Sequence, residues 1–259
     1  MTAVAMAAAL GADVCEIYTD VEGVFTADPR LEPRARKIDR ISFEEMLELA
    51  ASGAKVLQLR SVEYARRHTV RLHVRHSHLE TDGTWVVEEE EVPVLEQALI
   101  RGVAVDGEQA KVTLEDVPDR PGIAASVFKA VAAEGINVDM IVQNVSREGS
   151  TDLSFTVPRE ELPRIDTLLR SIVTDIGAVR YSTDDAIVKL SLVGAGMKSN
   201  PGVAADMFDA LAAEGINIEM ISTSSIRISC IIRARDAERA VRAVHQRFAL
   251  EGPTVPDEG

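Results

Sequence analysis

The chain has 259 residues, a length that suits two or three domains, and a hydrophobic content of 46%, enough to build real cores. Its net charge of −14, with only five histidines, argues against a nucleic-acid partner or an anionic membrane surface. No apolar run approaches the ~18 residues of a membrane span, and no signal-peptide pattern is present. Cys15 and Cys230 each lie in an apolar, strand-like run, which suits a reducing cytoplasm better than a disulfide scaffold.

Met1 to Leu10 is almost all Ala, Val and Met and precedes Gly11, which predicts a buried helix with a glycine stop. The sequence opens inside this helix. Val14 to Thr19 reads as a strand, Asp20 to Gly23 as a turn, and Val24 to Arg30 as a loop. Ser42 with Glu45 three residues on forms a capping box, and Phe43, Met46, Leu47 and Ala50 share the face of the helix that follows. A second helix is expected after Gly53, running to about His68 and carrying Val56, Leu59, Val62 and Tyr64, with a strand over 70–75. His73, His76 and His78 have no carboxylate or Cys partner at ligand spacing, so they read as strand-end and loop histidines. Glu88 to Glu91 reads as a solvated charged linker and Leu99 to Val105 as a strand.

The rest of the chain is organised by an internal repeat. PGIAASVFKAVAAEGINVDMI (121–141) recurs as PGVAADMFDALAAEGINIEMI (201–221), 80 residues further on. Each copy predicts a helix that starts at Pro-Gly and stops at Gly135 or Gly215 in a left-handed cap. Its apolar face is marked by Phe128, Val131 and Ala132, or by Phe208, Leu211 and Ala212. A β-branched strand is expected at once, from Ile136 and from Ile216. The predicted order is strand 110–115, helix 121–134, strands 136–145 and 151–157, helix 160–172 and strand 178–182, which is the ferredoxin-like βαββαβ order. The second unit reads as strand 186–193, helix 201–214, strands 216–223 and 226–233, and helix 236–248, and so lacks its fourth strand. The spare strand at 99–105 is expected to supply that edge, nesting the first unit inside the second.

These units resemble ACT domains, which bind amino acids. EIYTDVEGVFTADPR (Glu16 to Arg30) with ISFEEMLELAASGAKVLQLRSVEYA (Ile41 to Ala65) resembles the nucleotide-binding end of an aspartate kinase. LVGAGMKSNPGVAADMF and ISTSSIRIS resemble its second ACT domain. The likeness is to the actinobacterial-type, lysine- and threonine-sensitive enzymes. It implies an α/β chain: a remnant of an amino-acid-kinase αβα fold followed by two ferredoxin-like βαββαβ ACT domains. The implied division is 1–80 for the kinase part, 81–97 for a linker, 108–183 for the first ACT domain, 98–107 with 184–250 for the second, and 251–259 for a flexible tail.

The resemblance also implies roles. Thr19 and Asp20 match the family's Thr-Asp at the nucleotide, and Phe25 stands where the family usually has Tyr beside the adenine. Arg30 matches the Arg of Ala-Asp-Pro-Arg near the phosphates, and Lys55 and Val56 match the segment lining the base. The implied chemistry is phosphoryl transfer from ATP, as its Mg complex, to the β-carboxylate of aspartate. The family's Lys-Phe-Gly-Gly-Thr-Ser and Gly-Arg-Gly-Gly-Ser-Asp motifs are not in this sequence. No catalytic residue is therefore assigned, and the chain alone is expected to be inactive. Two roles are open: a portion of the kinase, or a non-catalytic sensing subunit paired with a full-length chain.

For the effectors, lysine and/or threonine, a Pro-Gly helix start offers backbone N–H groups to a carboxylate. The residues that match the family are Asp119, Asn137, Val138, Asp139 and Gln143 in the first unit. In the second they are Val203, Ala204, Asn217, Ile218, Ser224 and Ser225. The family commonly has Glu where Ser225 stands, so one carboxylate for an ammonium group is lost. A homodimer through the ACT domains, or a hetero-oligomer with a full-length chain, is the implied assembly.

Overall fold

Each of the three four-stranded sheets has its own helices, and the contacts between the sheets decide where the sites lie. The computed structural model describes residues 1–92, 100–144, 149–198 and 200–251. The N-terminal unit runs α1 (Thr2–Ala9), β1 (Val14–Thr19), β2 (Val24–Phe25), β3 (Lys37–Ile38), β4 (Arg40–Ser42), α2 (Phe43–Ala51), α3 (Leu59–Arg67), β5 (Arg71–His76) and β6 (Thr84–Val87). Its main sheet has the order β1-β5-β6-β4, with β1 parallel to β5 from Val14↔Arg71 to Thr19↔His76. Both halves of the capping box form at α2: the Ser42 side chain accepts from the Glu45 N–H, and the Glu45 side chain returns to the Ser42 backbone. Behind it Ile41, Phe43, Met46, Leu72, Val74 and Val86 close the core. Each such buried side chain contributes roughly 1.5–3 kcal/mol.

Two expectations for this unit are corrected. Helix α1 is not buried all round: Val4 and Ala7 are, while Met6 is 59% and Leu10 79% exposed. With apolar residues on every side the sequence could not say which face packs, and one side lies against α3 and β1. The span 81–97 is not wholly a linker either. Residues 84–87 form β6 inside the sheet, with Val86 and Val87 buried, because β6 pairs with both β4 and β5. Residues 93–97 of that expected linker, and residue 99 of the expected strand, lie outside the described residues.

Strand β7 (Gly102–Asp106) comes next. The middle unit follows as β8 (Gln109–Pro118), α4 (Ile123–Ala133), β9 (Ile141–Gln143), β10 (Ser150–Pro158), α5 (Leu162–Ile176) and β11 (Arg180–Asp184), with sheet order β11-β8-β10-β9. The C-terminal unit is β12 (Ile187–Val193), α6 (Val203–Ala213), β13 (Met220–Thr223), β14 (Arg227–Arg233) and α7 (Ala237–Arg247). Its sheet has the order β13-β14-β12-β7, so β7 lies along β12, antiparallel, from Gly102↔Val193 to Asp106↔Lys189.

Gly135 and Gly215 take φ of 72° and 67°, the left-handed caps read from the sequence. The strands after them start later than Ile136 and Ile216, at Ile141 and Met220. Ile136 and Ile216, each 4% exposed, are consumed in crossing from helix layer to sheet. Residue 145 of the expected strand is outside the described residues. The buried helix faces are also displaced from those expected. They are Ile123, Val127 and Val131 in α4, and Val203, Met207 and Leu211 in α6, while Ala132 and Ala212 face solvent. Alanine all round the helix had blurred the period. Glu251 is not part of a free tail: it bridges Ala35, and its carboxylate meets Arg34 at 2.6 Å.

The two faces of β12 are loaded differently. Val188, Leu190 and Leu192 pack under α6 and α7, whereas Ile187 and Val193 point the other way into two separate clusters. Ile187 joins Met140, Met220 and Ile231 against the middle unit, and Val193 joins the N-terminal core. Between them on that face lie Lys189 and Ser191, the latter hydrogen-bonded to Ser229 at 2.8 Å.

Candidate functional site

Thr19 and Asp20 lie at the carboxyl end of β1, where parallel strands of α/β sheets present ligands. The Thr19 hydroxyl donates to Asp20 Oδ1 at 3.0 Å, and its carbonyl accepts from the Ser77 N–H at 2.8 Å. Phe25 is half-buried in β2, opposite Lys37. Arg30 is exposed and grips Asp28 through Nε at 3.0 Å and Nη2 at 2.7 Å, which holds the Asp28 carboxyl below its usual range. Lys55 pairs with Glu108 at 2.5 Å, raising the lysine above its ordinary value. The Asp20 charge also acts on Arg30, and the Arg30 charge on Lys55, each more weakly than the paired Asp28 and Glu108. Val56 instead turns toward the N-terminal core.

The second candidate region is the pair of helix starts. Gly122 and Gly202 precede α4 and α6 with φ of 98° and 109°, conformations that disfavour any side chain. Among the described residues no side chain caps either helix, which leaves first-turn N–H groups available to a carboxylate. Asp119 is exposed, its N–H donating to the Gly149 carbonyl at 2.9 Å, and its carboxylate takes no partner among the described residues. Asn137 and Gln143 are exposed on the following segment, and Val138 is half-buried against the core. In the C-terminal unit Val203 sends its side chain into the core, so only its backbone can face a ligand, and Ala204 and Ile218 are partly covered. Asn217, Ser224 and Ser225 are exposed, with the Ser224 N–H donating to the Arg227 carbonyl at 2.8 Å.

Asp139 already has a partner within the chain. Its carboxylate is taken by Lys189 of β12, a lysine whose side chain is 1% exposed. The repeat has a reciprocal contact: Lys111 of β8 binds Glu219, the residue equivalent to Asp139 in the second copy. Each unit thus extends a strand lysine to the acidic residue two positions past the other's Asn. Both carboxylates are engaged at the joint between units.

A second joint was not foreseen. Glu45, Glu48 and Ala51 follow one another at three-residue spacing along α2, and all three meet cations of the C-terminal unit. Glu45 binds Arg101 at 2.9 Å, with side chains 4% and 6% exposed. Glu48 binds Arg227 at 2.9 Å, and the Ala51 carbonyl accepts from Lys189 at 3.1 Å. Two glycines keep the surfaces close. A Cβ on Gly53 would lie 2.3 Å from the Val105 carbonyl oxygen, and one on Gly102 would lie 2.7 Å from that of Thr26. Thr26 also receives buried His245: its hydroxyl donates to the Leu250 carbonyl at 3.2 Å, so His245 Nε2–H donates to Thr26 Oγ1 at 2.9 Å. That leaves Nδ1 buried with no partner among the described residues, and burial lowers the pKa of His245. The sequence signal for this joint was a lysine inside the apolar run Ile187-Val188-Lys189-Leu190.

The folds and the helix starts define a chain with an amino-acid-kinase portion and two ACT units. The Amino acid kinase family matches residues 1–76, and ACT domains match 112–174 and 190–248. The aspartokinase of Mycolicibacterium smegmatis is 54% identical over 253 residues, 97% of this chain and 60% of that protein. Aspartokinase III of E. coli, solved with aspartate and ADP, superposes with a TM-score of 0.80 at 31% identity, covering 95% of this chain and 54% of that one. The regulatory subunit of aspartate kinase from Thermus thermophilus is 45% identical with a TM-score of 0.56, over 58% of this chain and 99% of that one. The chain belongs to the aspartate kinase family, and spans about three fifths of the length of the curated relatives it matches.

Proposed function

We propose that this chain is the nucleotide-binding and amino-acid-sensing portion of an aspartate kinase, which transfers a phosphoryl group from ATP to L-aspartate to give 4-phospho-L-aspartate. The observation that carries the sensing role is the repeated, uncapped helix start at Gly122 and Gly202. A free amino acid offers a carboxylate to such N–H groups, and Asp119 stands ready for its ammonium. Asn137 and Gln143 line the same site in the first unit. Val203, Ala204, Asn217, Ile218, Ser224 and Ser225 form the corresponding set in the second. Lysine and/or threonine is the effector we assign, consistent with the lysine complex of the E. coli relative.

For the nucleotide, Thr19, Asp20 and Phe25 suit the base and ribose, and Arg30 and Lys55 supply charge, with Val56 behind them. Arg30 and Lys55 must exchange their carboxylate partners, Asp28 and Glu108, for phosphate. Among the described residues no three side chains are grouped to hold a metal, so Mg²⁺ would arrive on the phosphates and neutralise their charge there. We divide the chain into 1–80, 108–183, and 98–107 with 184–250. The edge strands β9 and β13 carry exposed Ile141 (52%) and Ile221 (44%), which favours dimerisation through the ACT units. The free, buried thiols of Cys15 and Cys230 suit the cytoplasm.

Calorimetric titration with threonine and with lysine tests the reading. A charge-assisted hydrogen bond contributes about 1.5–3 kcal/mol, so Asp119→Ala should weaken binding by roughly ten- to a hundredfold. Equal affinity in wild type and variant, or no binding of either amino acid at millimolar levels, would refute the site. A second reading, a non-catalytic subunit that pairs with a full-length kinase, is favoured by the likeness to the Thermus regulatory subunit. Weighing a mixture of this chain with a full-length kinase separates the two.

A further inference from the structure

We infer that Lys189 is the positioning residue through which an amino acid bound at the first ACT unit acts on the nucleotide segment Ser52–Val56; the inference rests on the proposed effector role of that unit. Lys189 is the one side chain described above that touches all three units. It starts from β12 of the C-terminal sheet, binds the carboxylate of Asp139 in the middle unit, and donates to the carbonyl of Ala51, the last residue of α2. Its burial makes these partners matter, because a lysine 1% exposed cannot exchange them for water.

Each end of the link adjoins a candidate site. Asp139 lies two residues past Asn137, in the segment that runs from the α4 cap to β9, and its N–H is fixed to the Thr156 carbonyl at 3.1 Å. A ligand that orders Asn137 and Gln143 therefore sets the position of the Asp139 carboxylate. At the other end, Ala51 leads directly into Ser52, Gly53, Ala54, Lys55 and Val56. The Ala51 carbonyl is one of the last four of α2, which lack a helical partner and take a cation well. The Ser52 hydroxyl beside it is buried with no partner among the described residues.

A third acceptor gives the ammonium an alternative. Asp106 stands opposite Lys189 on β7, with its carboxylate 3.9 Å from Nζ. Asp106 also holds the turn to β8, accepting from the Glu108 N–H at 2.9 Å, and Glu108 is the partner of Lys55. When Asp139 draws away, Lys189 turns toward Asp106 on its own sheet. The Ala51 carbonyl loses its cation, and the turn that carries the partner of Lys55 gains one. Both ends of the segment 51–55 thus respond to one ammonium group. Lys111, its counterpart in the repeat, has no such reach: it is 20% exposed, and Arg233 shares its partner Glu219. The two ACT units are accordingly unequal in what they can transmit to the N-terminal unit.

Hydrogen exchange of the full chain, with and without saturating threonine or lysine, tests the link, with calorimetry run in parallel. In wild type the ligand should change exchange across Ser52–Gln58 by about fivefold or more, the low end of allosteric coupling. In Lys189→Met the ligand should still bind, but that change should fall below about twofold. Asp139→Asn leaves the C-terminal sheet untouched, should behave in the same way, and decides the matter if Lys189→Met does not fold. A purely structural lysine would raise exchange equally with and without ligand and leave the ligand-dependent change intact. If the variants bind ligand and retain the change, or if wild type binds and shows none, the relay is overturned while the effector site stands. If neither amino acid binds to wild type, the effector reading and the relay fall together.

Discussion

Replacing Glu45 tests the joint between α2 and the C-terminal sheet. Glu45 and Arg101 are 4% and 6% exposed and meet at 2.9 Å, so Glu45→Ala takes a charged partner away from a buried guanidinium. Losing a buried charge-assisted hydrogen bond costs about 1.5–3 kcal/mol. The same change removes half of the capping box, but Ser42 Oγ still accepts the N–H of residue 45, so the helix start is only weakened. Arg101→Met removes the charge and keeps much of the volume. The double variant should therefore recover much of the loss, with a coupling of about 2–3 kcal/mol. Urea unfolding followed by fluorescence is well suited, because Trp85 is the only tryptophan and stacks on His73 at 3.8 Å inside the N-terminal sheet. A loss below about 1 kcal/mol for Glu45→Ala, or a double variant no better than the single one, would show that the pair is not buried in solution.

Gly53→Ala should destabilise by about 2–4 kcal/mol, since φ is 106° and the new Cβ would press on the Val105 carbonyl. Gly107→Ala, whose Cβ would meet only Val188 Cγ1 at 3.9 Å, should stay within about 0.5 kcal/mol of wild type in the same urea assay. His245 gives a pH dependence. Its pKa is depressed in the folded chain by burial, partly offset by Glu32 and Glu251 and reinforced by Arg34, so the unfolded chain binds the extra proton first. Its stabilisation is complete above the unfolded value of about 6.5 and is lost as pH falls below it. Urea midpoints measured from pH 7.5 to 5.5 should therefore drop for wild type, and His245→Gln should flatten the curve; an unchanged slope would refute the assignment.

What was legible in the sequence was local or repeated. The Ser42 box, the glycine stops at 135 and 215, and the ferredoxin-like order each rest on residues within a few positions of one another, or on two copies that agree. The start of β9 and the packing face of α1 were not legible, because alanine-rich helices and β-branched crossings satisfy several periods at once. Asp139 was read with Asn137 and Val138 as part of a segment matching the family's effector site. Its carboxylate also meets Lys189, 50 residues away on another unit, a contact that only the three-dimensional packing brings about. Glu45 was legible only as half of the capping box, although Glu45 and Glu48 meet cations that follow much later in the chain.

The position of β7 in the C-terminal sheet bears on how the chain closes up as it folds. Asp106 and Lys189 are register partners, yet the whole middle unit lies between them in sequence. Closing an open loop of that size carries an entropic cost that grows with its length. The middle unit removes most of it. Its outermost strands in sequence, β8 and β11, are sheet neighbours, with Lys111 opposite Asp184. Once that sheet has zipped, the two chain ends leaving it are side by side, and the effective loop between β7 and β12 shrinks to a few residues. The nested unit is thus a clasp: once its own sheet is closed, the long-range pairing that completes the C-terminal sheet becomes a local event.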